Sequence, residues 1–275
     1  MKIAYQGIAG SYSESCAKEK YPNCETISCK TFDECFEKAN QHSSVKAIIP
    51  ETNKTTGNIG VEYLIFKYRL NIYAEHFFPI DHNLLGLPES EITDIKDVYS
   101  HAQALSQSSN FIKNNKLNEN VRADTAGSAK YISEKKDITK AAIASKLSAK
   151  IYNLKILDSN VQDEKENVTR FLIMQKDIFQ PELKNNKYIT SLLFKLKSKA
   201  GALYSALGSF TLNGVNLTKL QIFPEKNSFS SYFFLCELDG HIEEKKVKNS
   251  LEELGLHCDD MHVLGVFEAD IFRDK

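Results

Sequence analysis

The chain has 275 residues, with 35 Lys and Arg against 36 Asp and Glu and a net charge of -1. That length supports two or three packed units, and the balanced charge argues against a surface built to coat nucleic acid or an anionic membrane. No apolar run approaches a bilayer span and Met1 leads straight into a strand, so a cytoplasmic protein with no membrane partner is expected. Cys16, Cys24, Cys29, Cys35, Cys236 and Cys258 form no C-x-x-C pair, which points to reduced thiols with no metal site and no disulfide framework.

From residue 2 to 175 strand and helix signals alternate. Ile3-Ala4-Tyr5 reads as a strand, then a turn, Gly7-Ile8-Ala9-Gly10, and a helix opening at Ser11-Tyr12-Ser13-Glu14. Residues 25–30 alternate as a half-buried strand does. Thr31-Phe32-Asp33-Glu34 is a capping box that opens a helix over 32–40. Residues 45–50 read as a buried strand ended by Pro50. A polar loop over 51–58 follows, then a helix whose apolar face is Ile59, Tyr63, Leu64 and Phe66. One long or two short strands occupy 71–87. Val98-Tyr99-Ser100, Val121-Arg122-Ala123 and Ala141-Ala142-Ile143-Ala144 are further strands, with helices over 103–114, 125–133 and 146–152. Asn167-Val168-Thr169-Arg170-Phe171 enters the apolar strand Leu172-Ile173-Met174.

This pattern predicts an α/β fold of parallel-rich sheets in two lobes with a cleft. Ligand-binding loops then sit at the strand ends over 6–13, 50–57, 100–107 and 124–127. A polar connector over 180–187 separates a second segment. Strands over 188–196, 216–223, 229–238 and 261–267 and helices over 202–212 and 243–254 give βαββαβ, a ferredoxin-like sandwich. Expected domains are therefore 1–178 and 188–270. Units of the second kind often pair through their sheets, so a homodimer or homotetramer is expected on fold analogy.

Several motifs carry chemistry. The turn into Ser11, Tyr12 and Ser13 reads equally as an anion site at a helix start or as a well-capped turn. It lacks the third glycine of a dinucleotide loop and the lysine of a P-loop, so no cofactor is implied. Asp124-Thr125-Ala126-Gly127 is a second helix start, an anion site or a simple N-cap. Asn53 offers a donor and an acceptor together, while Lys54 binds an anion or faces water. Ser100 and Gln107 add uncharged polar groups, and His101 between them reads as a surface imidazole. On an extended strand Thr169 and Phe171 share one side and Arg170 takes the other. Thr-Arg-Phe alone is ordinary strand chemistry; together the groups suit a dianionic small molecule that needs binding and protonation rather than covalent attack.

Taken in order, Ala4-Tyr5-Gln6-Gly7, His101-Ala102-Gln103-Ala104-Leu105, Asp124-Thr125-Ala126, Ala141-Ala142-Ile143-Ala144-Ser145 and Val161-Gln162-Asp163 with Asn167-Val168-Thr169-Arg170-Phe171 resemble the prephenate dehydratase family with its carboxy-terminal ACT domain. The resemblance runs to Val263-Leu264-Gly265. It implies decarboxylating dehydration of prephenate to phenylpyruvate in phenylalanine biosynthesis, with Thr169 protonating the departing hydroxyl. It also implies that Asn53, Ser100 and Gln107 surround the substrate, and that Arg170 and the helix starts at Ser11 and Thr125 hold its carboxylates. Glu51-Thr52-Asn53-Lys54 departs from the usual apolar-Glu-Asn-Ser or Thr after the proline, and Ala102 replaces a proline.

Gly201-Ala202-Leu203 retains the family's phenylalanine-binding motif, and Asn213-Gly214-Val215-Asn216 with Leu217 is expected to shape the effector site between ACT domains. The second regulatory motif, Glu-Ser-Arg-Pro, is Gln221-Ile222-Phe223-Pro224 here. Phenylalanine is the implied effector. Arogenate dehydratase, a non-aromatising prephenate decarboxylase and a non-catalytic small-molecule sensor are the alternatives.

Overall fold

The structure is a computed structural model, and it describes residues 1–225, 228 and 231–274. The chain begins β1 (Lys2–Gln6), α1 (Tyr12–Lys20), β2 (Glu25–Cys29), α2 (Phe32–Gln41), β3 (Val45–Asn53), β4 (Gly57–Asn58), α3 (Glu62–Tyr68), β5 (Asn71–Pro79) and β6 (Asn83–Gly86). It continues β7 (Asp97–His101), α4 (Ala102–Ser106), α5 (Ser109–Asn114), β8 (Asn118–Arg122), α6 (Thr125–Lys135), β9 (Lys140–Ala144), α7 (Lys146–Ile151), β10 (Lys155–Ser159) and β11 (Val168–Gln175). Two compact units divide the chain. One holds Met1–Lys38, Ser44–Gly60 and His76–Phe171; the other holds Ala39–Ser43, Val61–Glu75 and the chain from Leu172 onward.

The strands from β1 to β11 form two sheets, in the orders β2-β1-β3-β11-β5 and β10-β6-β9-β7-β8. β1 pairs parallel with β2 and β3, and β7 pairs parallel with β8 and β9. β3 and β11 are buried along almost their whole length, as strands covered on both faces must be. The capping box forms as its residue types require: Glu34 N–H donates to Thr31 Oγ1 at 3.1 Å, and the Glu34 carboxylate accepts from Lys30 N–H at 2.8 Å.

Four expectations need correction. β3 runs through Pro50 to Asn53; its ladder with β1 ends at Ile48, so that pairing asks no donor of Pro50. The helix expected over 103–114 is two, α4 and α5, broken at Gln107 and Ser108. Ser106-Gln107-Ser108-Ser109 is rich in hydroxyls that compete with helical backbone bonds. β10, antiparallel to β6, is a short and half-exposed strand that the alternation did not reveal. In α3 the buried side chains are Leu64 and Ile65, whereas Tyr63 is 62% exposed and Ile59 precedes the helix.

The second unit contains β12 (Tyr188–Leu196), α8 (Ala202–Leu212), β13 (Leu217–Pro224), β14 (Tyr232–Asp239), α9 (Lys245–His257) and β15 (Cys258–Glu268). The sheet order β13-β14-β12-β15 is antiparallel throughout, the ferredoxin-like arrangement of βαββαβ. Its core joins Leu192 and Phe194 of β12 to Ala206 and Phe210 of α8 and Leu251 and Leu254 of α9. The strand expected from Phe229 begins at Tyr232; Phe229 and Ser230 lie outside the described residues. Phe66 of α3 packs on Phe233, ring centroids 4.3 Å apart, and Arg273 bridges the buried carboxylates of Glu75 and Glu237. Among the described residues no helix is long and apolar enough to cross a membrane.

Candidate active site

A cavity of about 670 Å³ lies in the first unit, where the loops of its two sheets meet. One wall is the turn from β1 into α1. Gly10 adopts φ +90, its N–H donates to Glu14 Oε2 at 2.7 Å, and its carbonyl accepts from Ser145 Oγ at 2.5 Å and Ser148 Oγ at 2.8 Å. The turn is thereby tied to the start of α7. It presents Ser11, Tyr12 and Ser13 to the cavity, with Ser11 Oγ also accepting from Glu14 N–H at 3.3 Å.

The opposite wall is β11 with the β3–β4 hairpin. Thr169 and Phe171 line the cavity from the same side of β11, and Asn53 lines it from the end of β3. Asn53 Oδ1 accepts the backbone N–H groups of Thr55 and Thr56, both at 3.1 Å. Backbone nitrogens can only donate, so the amide orientation is fixed and Asn53 Nδ2 faces Thr169 Oγ1 at 2.9 Å and Asn167 Oδ1 at 2.8 Å. The Thr169 oxygen therefore accepts from Asn53, and its own proton is not spent on that bond.

Gln107, at the break between α4 and α5, and Thr125, at the start of α6, complete the expected set that lines the cavity. Asp124 caps α6 by accepting from Gly127 N–H at 2.5 Å and lines the cavity as well. Two expected residues are elsewhere. Ser100 is fully buried between strands and donates to Ile143 O at 2.6 Å. Arg170 points to the other side of β11, where it pairs with the buried carboxylate of Glu51 at 3.3 Å. The pleat sends neighbours to opposite faces, so Arg170 cannot accompany Thr169 into the cavity. Among the described residues that line it, none is Lys or Arg.

His82 was missed. It lines the cavity just ahead of β6, only 2% exposed, with Nδ1 2.7 Å from Tyr12 Oη and Nε2 2.9 Å from Gln107 Oε1. Burial lowers its pKa below the ordinary imidazole value, against opposing pulls from Gln107 and Asp81. Burial likewise raises the Tyr12 phenol well above its usual range, and Asp81 adds to the shift. Both groups are neutral near pH 7. The one sequence signal was the polar Asp81-His82-Asn83 interrupting apolar residues on either side.

In the second unit, Gly201, Ala202 and Leu203 line a cavity of about 600 Å³ together with Lys195, Lys197, Lys199 and Asp259. Asn213, Val215, Asn216 and Leu217 lie at the other end of α8 and do not line it. Val215 is buried there, and the amides of Asn213 and Asn216 donate to Glu253 and Asp239.

Comparison with known proteins gives the family. Residues 3–178 match the family described as prephenate dehydratase. The chain is 34% identical over 288 residues to "Arogenate dehydratase/prephenate dehydratase 1, chloroplastic" of Arabidopsis thaliana, covering 99% of this chain and 73% of the relative. Among solved structures it superposes with a TM-score of 0.93 on a protein titled as GqqA, a quorum quenching acylase, at 32% identity over 99% of this chain and 100% of the other. A prephenate dehydratase from Arthrobacter aurescens in complex with L-Phe gives a TM-score of 0.88 at 24% identity, covering 98% of this chain and 90% of that one, and so shares the fold. With the family matched over both walls of the cavity and a relative over a third identical along nearly the whole chain, this protein belongs to the prephenate dehydratase family and is a dehydratase of the lyase type.

Proposed function

We propose that the chain converts prephenate to phenylpyruvate, carbon dioxide and water, with Thr169 as the proton donor. The ring C–carboxylate bond breaks and its electron pair enters the ring. The C–OH bond at the opposite ring carbon breaks, and the leaving oxygen takes the Thr169 proton to depart as water. Solvent then returns a proton to Thr169. Aromatisation drives the reaction, so orientation and leaving-group assistance are what remains for the protein. A threonine hydroxyl is a weak acid, and the N–H of Asn53 at 2.9 Å supports its oxygen as charge develops there. That hydrogen bond is the observation that carries the reading.

With no Lys or Arg among the described residues of the wall, the substrate carboxylates fall to the N-termini of α1 and α6 and to the hydroxyls of Ser11, Tyr12, Ser13 and Thr125. Asn53 and Gln107 contact the ring hydroxyl side, and Phe171 packs against the ring. One observation favours arogenate as a second substrate: Asp124 places a carboxylate in the wall, where an ammonium group would find a partner. Incubation with each compound, following phenylpyruvate by its enolate absorbance in alkali and phenylalanine by chromatography, tests both. No product above the spontaneous rate overturns the dehydratase reading and leaves a binding module.

The same reading gives residues 1–178 the catalysis and 188–270 the regulation, in a cytoplasmic homodimer or homotetramer. Phenylalanine would bind where two ACT domains meet, which would bring Gly201, Ala202 and Leu203 of one copy to Asn213, Val215, Asn216 and Leu217 of another. Calorimetry with phenylalanine tests the effector, and light scattering tests the assembly. The absence of heat would remove the effector with Gln221-Ile222-Phe223 as the reason.

A further inference from the structure

His82 stands in the cavity wall with both ring nitrogens engaged, and the direction of each bond around it follows from fixed donors farther along. The backbone N–H groups of Thr55 and Thr56 hold Asn53 Oδ1, so Asn53 Nδ2 donates to Asn167 Oδ1. Asn167 therefore turns its Nδ2 toward Gln107 Oε1, at 3.3 Å. Thr55 Oγ1 donates to Asn53 Oδ1 at 2.6 Å and so must accept from Gln107 Nε2 at 2.9 Å. Both bonds present Gln107 to His82 by its carbonyl oxygen. An oxygen acceptor at 2.9 Å requires a proton on His82 Nε2, and in a neutral ring Nδ1 is then an acceptor. Tyr12 Oη then has two acceptors within reach of its one proton, Nδ1 at 2.7 Å and the Asp81 carbonyl at 3.0 Å.

The result is one direction of donation from the ring onward: His82 to Gln107, Gln107 to Thr55, Thr55 to Asn53, and Asn53 to Thr169. Reversing the ring would set two acceptors face to face at Gln107, and the amide could escape only by turning over. Turned over, it would offer a donor to the Asn167 donor and an acceptor to Thr55, whose proton would then leave Asn53.

We infer that His82 is a positioning residue for the reaction: as the Nε2-protonated imidazole it locks the Gln107 amide, and through Thr55 and Asn167 it keeps Asn53 donating to Thr169, whose own proton stays free for the substrate. This rests on the role given to Thr169 above. His82 acts through its hydrogen bond to Gln107, so its removal should act on kcat more than on KM.

Two measurements test it. Nitrogen-15 correlation spectra of the wild-type imidazoles at pH 7.5, with His82 assigned by its loss in His82→Gln, should show a neutral ring protonated at Nε2. A ring protonated at Nδ1, or an imidazolium, overturns the inference without any activity assay. In prephenate turnover, His82→Phe keeps the ring volume without its polar atoms and should lose roughly tenfold to a hundredfold in kcat with KM within about threefold. His82→Gln, whose side-chain N–H can still reach Gln107, should recover most of that loss. Unchanged kcat in His82→Phe, or no recovery in His82→Gln, overturns the role of His82. Absence of turnover in the wild type overturns the dehydratase reading instead. Should His82→Phe fail to fold, as judged by circular dichroism, the wild-type spectrum and the kcat of His82→Gln still decide.

Discussion

Arg170 Nη1 lies 3.3 Å from Glu51 Oε2 inside the first sheet, with the two side chains 8% and 0% exposed. The pair sits behind the cavity wall: Arg170 follows Thr169 on β11, and Glu51 lies two residues before Asn53 on β3. Removing one partner of a buried pair leaves the other charge poorly compensated and costs roughly 3–5 kcal/mol. Arg170→Ala should therefore lower the urea midpoint by a corresponding amount and reduce turnover through the shared strands. The double variant Glu51→Leu, Arg170→Met should regain much of the stability. Single and double variants of equal stability would show that the pair contributes little.

Thr169 is the residue on which turnover should depend most steeply. Thr169→Ala removes the donor while leaving the cavity nearly intact, so kcat should fall by roughly 10²–10⁴ with KM changed little. Thr169→Ser keeps the hydroxyl and should stay within about tenfold of wild type, since only a methyl group that orients it is lost. Steady-state kinetics of the two variants checks this, and a Thr169→Ala enzyme with normal kcat would move the proton donor elsewhere.

The turn at Gly10 should tolerate no side chain. Its φ of +90 disfavours any L residue, and a Cβ there would sit 2.5 Å from Ser148 Oγ and 2.9 Å from Ser148 Cα. The conformation alone costs about 1–3 kcal/mol for a residue other than glycine. Gly10→Ala should thus melt earlier, and KM should rise because Ser11, Tyr12 and Ser13 shift with the turn. Wild-type KM in a destabilised Gly10→Ala would separate the turn from substrate binding.

Stability should fall on mild acidification, with His82 contributing a defined part. Burial holds its folded pKa below the ordinary 6.5, and the groups facing the ring are Tyr12, Gln107 and Asp81. Above that value the ring is neutral in both folded and unfolded chains and adds no pH dependence. As the pH falls below about 6.5 the unfolded chain binds the proton first, so stability declines until the folded ring is protonated too. One such site gives a slope of at most about 1.4 kcal/mol per pH unit. Urea midpoints at pH 7.5 and 5.5 should therefore diverge more in wild type than in His82→Gln; equal differences would remove His82 from the acid response.

Much of this molecule is local and could be read from the residues alone. The capping box at Thr31 and Glu34, the alternation of strands with helices, the βαββαβ order after residue 188 and the common side of Thr169 and Phe171 all follow from periodicity and nearest neighbours. Strand alternation likewise separated Arg170 from Thr169, although the family resemblance had set it among the substrate ligands. What the tertiary structure decided is where each polar group finds its partner. Ser100 is at a strand end, as expected, yet its hydroxyl is spent on Ile143 forty-three residues away. Gln107 serves the cavity because a helix breaks there. The polar interruption at residues 81–83 marks His82 in the sequence but not its tautomer, which follows from Gln107, brought to it from a distant part of the chain by the packing of two sheets.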